Sequence, residues 1–156
     1  MATDEQKKAN MYRLAKLTLY GLTIGIWDLL GEGALGLSHV IGAQILPLLE
    51  KEMGLELGGE SLLDIINEVG RLAVDEFGIA ESVDASGDSD QITLKVKNCA
   101  LRDLTAGLRD AGVSKPFICP FLCTGDAIFD RKGVKAVSNI KKWEEGKGSI
   151  ITWEMI

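Results

Sequence analysis

Histidine is nearly absent: the 156-residue chain has one, His39. A single imidazole excludes any mechanism or metal site that needs two in one chain, zinc-protease helices and two-histidine iron centres among them. Cysteine is scarce as well, and its count of three is odd, so a wholly intramolecular disulfide framework of the small secreted kind is excluded. No GxxxxGK[ST] phosphate loop occurs, no GxSxG, and no Ser or Cys beside several histidines, which leaves the hydrolase templates without support. Lys and Arg number 17 against 23 Asp and Glu, a net charge of −6, and this disfavours a general nucleic-acid binder. No apolar core follows the polar start Met1-Ala-Thr-Asp. The longest charge-free run, Gly33 to Leu49, contains His39, Gln44 and Pro47 and falls short of the roughly 20 apolar residues of a bilayer span. A soluble, cytoplasmic protein without a membrane span is expected.

What is present suits one folded domain over 1–156, helical over 1–78 and mixed over 79–156, with 46% hydrophobic and 26% charged residues. Charge is uneven. Glu50 to Asp90 carries twelve acids against Lys51 and Arg71, whereas Arg131 to Lys147 carries six bases against Glu144 and Glu145. These are either two solvated surfaces or faces that meet across a dimer.

The hydrophobic period predicts helix first. Met11, Leu14, Leu17, Thr18, Gly21, Leu22, Gly25 and Leu29 form one stripe behind a cap at Thr3 or Asp4. Gly21 and Gly25 on that stripe imply close approach of another backbone, a packed helix or a ligand. Gly31-Glu-Gly33 breaks this helix; a second spans about Ala34 to Met53, kinked at Pro47 and ended by Gly54. Leu55 to Gly59 is a connector. A third helix, capped by Ser61, buries Leu62, Ile65, Ile66, Val69, Leu72, Ala73 and Phe77 and stops at Gly78. The period then falls to two: Ile79 to Ala85 and Gln91 to Lys97 form a hairpin with one wet face. Short helices at about Leu101 to Ala111 and from Cys119-Pro120 to Phe129 precede a second hairpin, Val134 to Trp143 with Ser149 to Ile156. Grouped helices and antiparallel strands give an α+β fold, with N-terminal helices packed on a sheet of about four strands.

Chemistry concentrates in the cysteines. Cys119 and Cys123 stand one turn apart at a helix start, where free N–H groups and the helix dipole favour a thiolate at Cys119. Cys99 ends a strand and comes close if that helix packs back on the sheet. Three thiolates with a fourth ligand from His39, Asp126 or water would hold zinc, or an iron–sulfur cluster with one open iron; the alternatives are inert core thiols and redox or substrate-thiol chemistry. His39, in the apolar stretch Gly36 to Gly42, is either a core histidine satisfied by hydrogen bonds or an axial ligand and polar anchor.

The strand ending in Asn98-Cys99, the loop Lys115-Pro-Phe-Ile-Cys119-Pro-Phe-Leu-Cys-Thr-Gly125 that opens a helix, and the closing hairpin resemble the small four-vinyl-reductase domain of archaea and bacteria. Gly54, Gly58 and Gly59 between two helices add to the likeness, which covers roughly Leu35 to Ile156. It implies a fold shared with haem-based nitric-oxide sensors and vesicle-trafficking subunits: a helical layer on an antiparallel sheet with a ligand pocket between, often dimeric. A further cysteine pair expected near Trp143 to Glu154 is missing, which weakens a cluster-based reductase role. The expectation is a homodimeric binding domain for a small hydrophobic or tetrapyrrole-like molecule, in a pocket lined by parts of Ile24, Trp27, His39, Phe117, Phe121 and Phe129. The cofactor expectation is zinc or an iron–sulfur cluster at Cys99, Cys119 and Cys123, ahead of haem. The competing expectations are a zinc or iron–sulfur protein of reductase type and an interaction scaffold.

Overall fold

A computed structural model describes residues 1–57 and 61–156, so Gly58 and Gly59 of the family likeness lie outside the described residues. Helix α1, Asp4–Leu30, starts in a capping box: Thr3 accepts from the Gln6 N–H, and the Gln6 side chain accepts from the Thr3 N–H. A 3-10 turn, Gly31–Gly36, replaces the expected start of the second helix. Helix α2, Leu37–Met53, runs through Pro47 and ends at Gly54, whose left-handed backbone (φ 70°) returns its N–H to the Leu49 carbonyl. Helix α3, Leu62–Asp75, is capped by Ser61. Strands β1, Ser82–Gly87, and β2, Gln91–Lys97, follow. Helices α4, Arg102–Asp110, and α5, Pro120–Arg131, lead to strands β3, Ala136–Trp143, and β4, Gly148–Met155. The α+β class is thus observed.

The two hairpins join through β2 and β4 into one antiparallel sheet of order β1-β2-β4-β3. Register puts Ile92 opposite Trp153 and Leu94 opposite Ile151, so these four buried side chains line the inner face, with Val96 beyond them. Helices α2, α3 and α5 cover that face and form the main core with it. A smaller core lies to one side, where Ala34, Leu104, Leu108, Val113 and Phe117 meet Tyr20, Ile24 and Trp27 from α1.

Helix α5 is the buried axis: every residue from Phe121 to Phe129 is shielded. It can lie this close to its neighbours because two glycines leave room. A Cβ at Gly42 of α2 would overlap the backbone carbonyl of Cys123, and one at Gly125 would enter the Trp153 ring. Trp153 also stacks on Phe129, centroids 5.6 Å apart.

Two placements differ from expectation. Phe77 is 48% exposed, because α3 stops at Asp75 and carries it past the core. More consequentially, the α1 stripe faces outward: Leu14 is 64% and Leu29 85% exposed, and Thr23 is the buried residue of the helix. Among the described residues, no atom beyond the helix's own nearby backbone comes within 4 Å of where a Cβ at Gly21 or Gly25 would stand. The opposite edge of α1, with Tyr20, Ile24 and Trp27, is what packs on the small core. Among the described residues one helical run, Asp4–Met53, contains an 18-residue window long and apolar enough to cross a membrane by those two measures; 22% of that window is buried. The acidic and basic stretches meet inside the chain at the Glu50–Arg131 ion pair.

Candidate ligand-binding site

Between the two cores is a cavity of about 510 Å³, within the range of small-molecule sites. Leu19, Leu22 and Ile26 of α1 wall it on one side, and Leu37, Ile41 and Ile45 of α2, one turn apart each, on another. Leu101, Leu104, Thr105 and Leu108 come from the α4 region, Val96, Ser149 and Ile151 from the sheet, and Pro116, Ile118, Pro120 and Phe121 from the loop entering α5. Cys99 and Cys119 complete the wall. Its polar groups are few: two thiols and the hydroxyls of Thr105 and Ser149.

Of the residues expected to line the pocket, Phe121 is in this wall; Cys99 and Cys119, expected as metal ligands, share the wall with it, and the other expected lining residues are elsewhere. Phe117 is wholly buried in the small core, with Trp27 and Ile24 packed against it. Phe129 is committed to Trp153. His39 is not part of this wall; it is 43% exposed, with Nδ1 2.7 Å from the Asp130 carboxylate and Nε2 3.7 Å from that of the buried Asp126. No imidazole faces a haem in this cavity. The aliphatic wall was missed because Leu37/Ile41/Ile45 and Leu101/Leu104/Leu108 have the same helical spacing as core residues.

The cysteines are close enough to feel one another's charge, but not as thiolates. The N–H groups of Leu122 and Phe121 at the α5 start do lower the Cys119 pKa, as does the Arg109 charge. Burial outweighs them, and the thiol is pushed up to about 11. Burial raises Cys99 too, and raises Cys123 well beyond the usual thiol range. Cys123 is fully buried and donates its S–H to the Phe117 carbonyl at 3.1 Å. The expected Cys119 thiolate is thus corrected: at neutral pH all three are thiols. Among the described residues no group of three or more His, Cys, Asp or Glu is arranged to hold a metal, so Cys99, Cys119 and Cys123 do not form the expected metal set.

A pH dependence follows. An unfolded thiol titrates near 9.0 and Cys119 near 11, so its contribution to stability is whole below pH 9 and is lost as the pH climbs through 11. Melting temperatures from pH 8 to 11 should fall less steeply in Cys119→Ala than in the unmodified protein; parallel slopes would contradict the buried-thiol assignment.

One charged side chain is buried beside this site. Asp126 of α5 is 1% exposed and accepts hydrogen bonds from Ser38 Oγ of α2 (2.6 Å) and Trp153 Nε1 of β4 (2.9 Å). It ties helix to helix and helix to sheet. Nothing in the sequence pattern singled it out beyond its nomination as a possible ligand.

The family model described as "Putative rubredoxin C-terminal domain" matches residues 14–156. A "Putative rubredoxin" of Methanothermobacter thermautotrophicus is 28% identical over 118 residues, which is 74% of this chain and 57% of that protein. This chain thus spans little more than half of that relative. Among solved structures, a trafficking protein particle complex subunit 3 from Naegleria fowleri, covalently bound to palmitic acid, superposes with a TM-score of 0.63 at 14% identity, over 92% of this chain and 93% of that one. That likeness concerns the fold, and it is the trafficking-subunit fold that the sequence resemblance implied; the family named is the rubredoxin one, where that resemblance pointed to four-vinyl reductases. The iron centre that the family name implies calls for a tetrahedral set of four thiolates. This chain has three cysteines, one short of that set, and Cys123 is spent on a carbonyl, so they do not fit it.

Proposed function

The chain belongs to the family described as the "Putative rubredoxin C-terminal domain", and from that premise we propose that this domain is a receptor for one long, hydrophobic molecule held non-covalently in the cavity. The observation that carries this reading is the cavity's size and its almost wholly aliphatic wall. The kinship of fold with a subunit that is covalently bound to palmitic acid supports it. So does the resemblance to four-vinyl-reductase domains, for which a small hydrophobic ligand is the expectation. Protonated thiols at Cys99 and Cys119 act as apolar wall here, and a thiol near pKa 11 is a poor nucleophile at neutral pH.

Filling the cavity tests the proposal. Ile45→Trp places an indole in a space now empty, so a neutral apolar fluorophore, displaceable by hexadecanol, should bind the original chain saturably and the variant at least tenfold more weakly. Melting temperature controls for folding. Equal binding by a folded variant would contradict the reading.

The exposed α1 stripe is assigned to a second copy of this chain. Met11, Leu14, Leu17, Leu22 and Leu29 are each more than half exposed, a contiguous apolar face along α1. Two α1 helices crossing antiparallel at the level of Thr18 set Met11 and Leu14 of one against Gly25 and Leu22 of the other, and Lys7 and Lys8 beside Asp28. The stripe adjoins Leu19 and Leu22 of the cavity wall, so such a dimer covers the site's α1 side. Light scattering should give twice 16.8 kDa, and 16.8 kDa for Leu14→Glu. A monomeric original chain that adheres to lipid vesicles would overturn the dimer.

A further inference from the structure

The apolar cavity adjoins a smaller polar hollow of about 210 Å³ between α4 and the β3–β4 turn, and the two share Thr105 and Ser149. Arg102, Thr105 and Arg109 line the hollow from one face of α4; Lys142 and Lys147 come from the end of β3 and the turn, beside Trp143. Four cations stand there against two carboxylates, and both carboxylates are engaged: Asp103 lies 3.6 Å from Arg102, and Glu144 pairs with Lys142. Among the described residues neither Arg109 nor Lys147 has an ion-pair partner. Arg109 is half-buried, and its one hydrogen bond, to the Ile140 carbonyl, is long at 3.4 Å. A half-buried guanidinium with open donors is suited to bidentate capture of an oxyanion.

We propose that this hollow is a head-group site: the ligand is an amphiphile whose anionic carboxylate or phosphate is held by Arg109 and Lys147 while its chain passes Thr105 and Ser149 into the apolar cavity. This deepens the reading of the cavity as a site for a long apolar chain and rests on it. The chemistry fits the wall closely. A neutral hydrocarbon would leave the cations at the mouth idle, whereas an acid places its charge where donors converge and its methylenes where the wall is dry.

Competitive displacement with palmitate, hexadecanol, dodecyl phosphate and inorganic phosphate tests it on the full chain. Palmitate should bind at least tenfold more tightly than hexadecanol, and dodecyl phosphate should compete where inorganic phosphate does not. Arg109→Gln and Lys147→Gln should each bring palmitate towards hexadecanol while leaving hexadecanol unchanged, and added salt should weaken palmitate and dodecyl phosphate but not hexadecanol. Equal binding of acid and alcohol, unaltered by the variants, would overturn the head-group site and keep the apolar one. Inorganic phosphate competing as well as dodecyl phosphate would overturn the coupling of head to tail, and failure of every chain-bearing probe would overturn the cavity reading itself.

Discussion

Asp126→Ala should destabilise the chain by about 2–4 kcal/mol, one of the two largest single-residue losses expected. The carboxylate is 1% exposed and is the acceptor for both Ser38 Oγ and Trp153 Nε1. Among the described residues, no buried side-chain nitrogen or oxygen lacks a partner, so the substitution would create an orphan, the Trp153 indole N–H, where there is none. An unpartnered indole N–H in the interior costs roughly 1–3 kcal/mol, on top of the space vacated, while Ser38 Oγ can still donate to the Leu35 carbonyl at 3.3 Å. In a domain of this size, that loss lowers the melting temperature by roughly 5–15 °C. Asp126→Asn separates satisfaction from packing: its amide oxygen can accept from Trp153 and its amide N–H can donate to Ser38 Oγ, so most of the loss should be recovered. A fall equal to that of the alanine variant would show that the charge, not the pair of hydrogen bonds, holds the network.

Gly42→Ala should be of similar severity, although alanine is the better helix former by about 1 kcal/mol. The new methyl would overlap the Cys123 carbonyl and press on the Ala127 Cβ, 2.9 Å away. The first of these is backbone in the middle of a buried helix, and no rotamer change relieves it. Helices α2 and α5 must separate, which loosens the main core and shifts Ile41 and Ile45 in the cavity wall. Denaturant midpoints should fall well beyond the range of an ordinary surface change, and apolar-probe binding should weaken in the same variant. An unchanged midpoint would mean that the α2–α5 contact is looser than its geometry.

Much of the architecture was legible because it is written in local chemistry. Thr3 with Gln6, Ser61 with Asp64, Gly54 after Met53 and Pro120 at the first turn of α5 each mark a helix boundary by satisfying or omitting a terminal backbone group. Strand alternation at Ile92, Leu94 and Val96 fixed the buried face of β2. The site was legible in part. Cys99, Cys119 and Phe121 do converge on one cavity, but the aromatic lining expected from Trp27, Phe117 and Phe129 is absent, because large flat rings found better partners in the two cores. A Met and Leu stripe such as that of α1 looks the same whether its cover is the same chain or another molecule, and only the fold shows that the described residues leave it uncovered. The thiolate expectation failed on magnitudes: a helix start favours the charge, and the dry wall around Cys119 opposes it more strongly.

Calorimetric titration of the full chain with a homologous series of straight-chain alcohols from ten to sixteen carbons measures the central claim most directly. Each methylene buried in the cavity contributes about 0.8 kcal/mol, or roughly fourfold in affinity. A steady rise along the series, with a negative heat-capacity change and abolished by Ile45→Trp, is the result the apolar receptor requires. Affinity independent of chain length, or no saturable binding at any length, would contradict it.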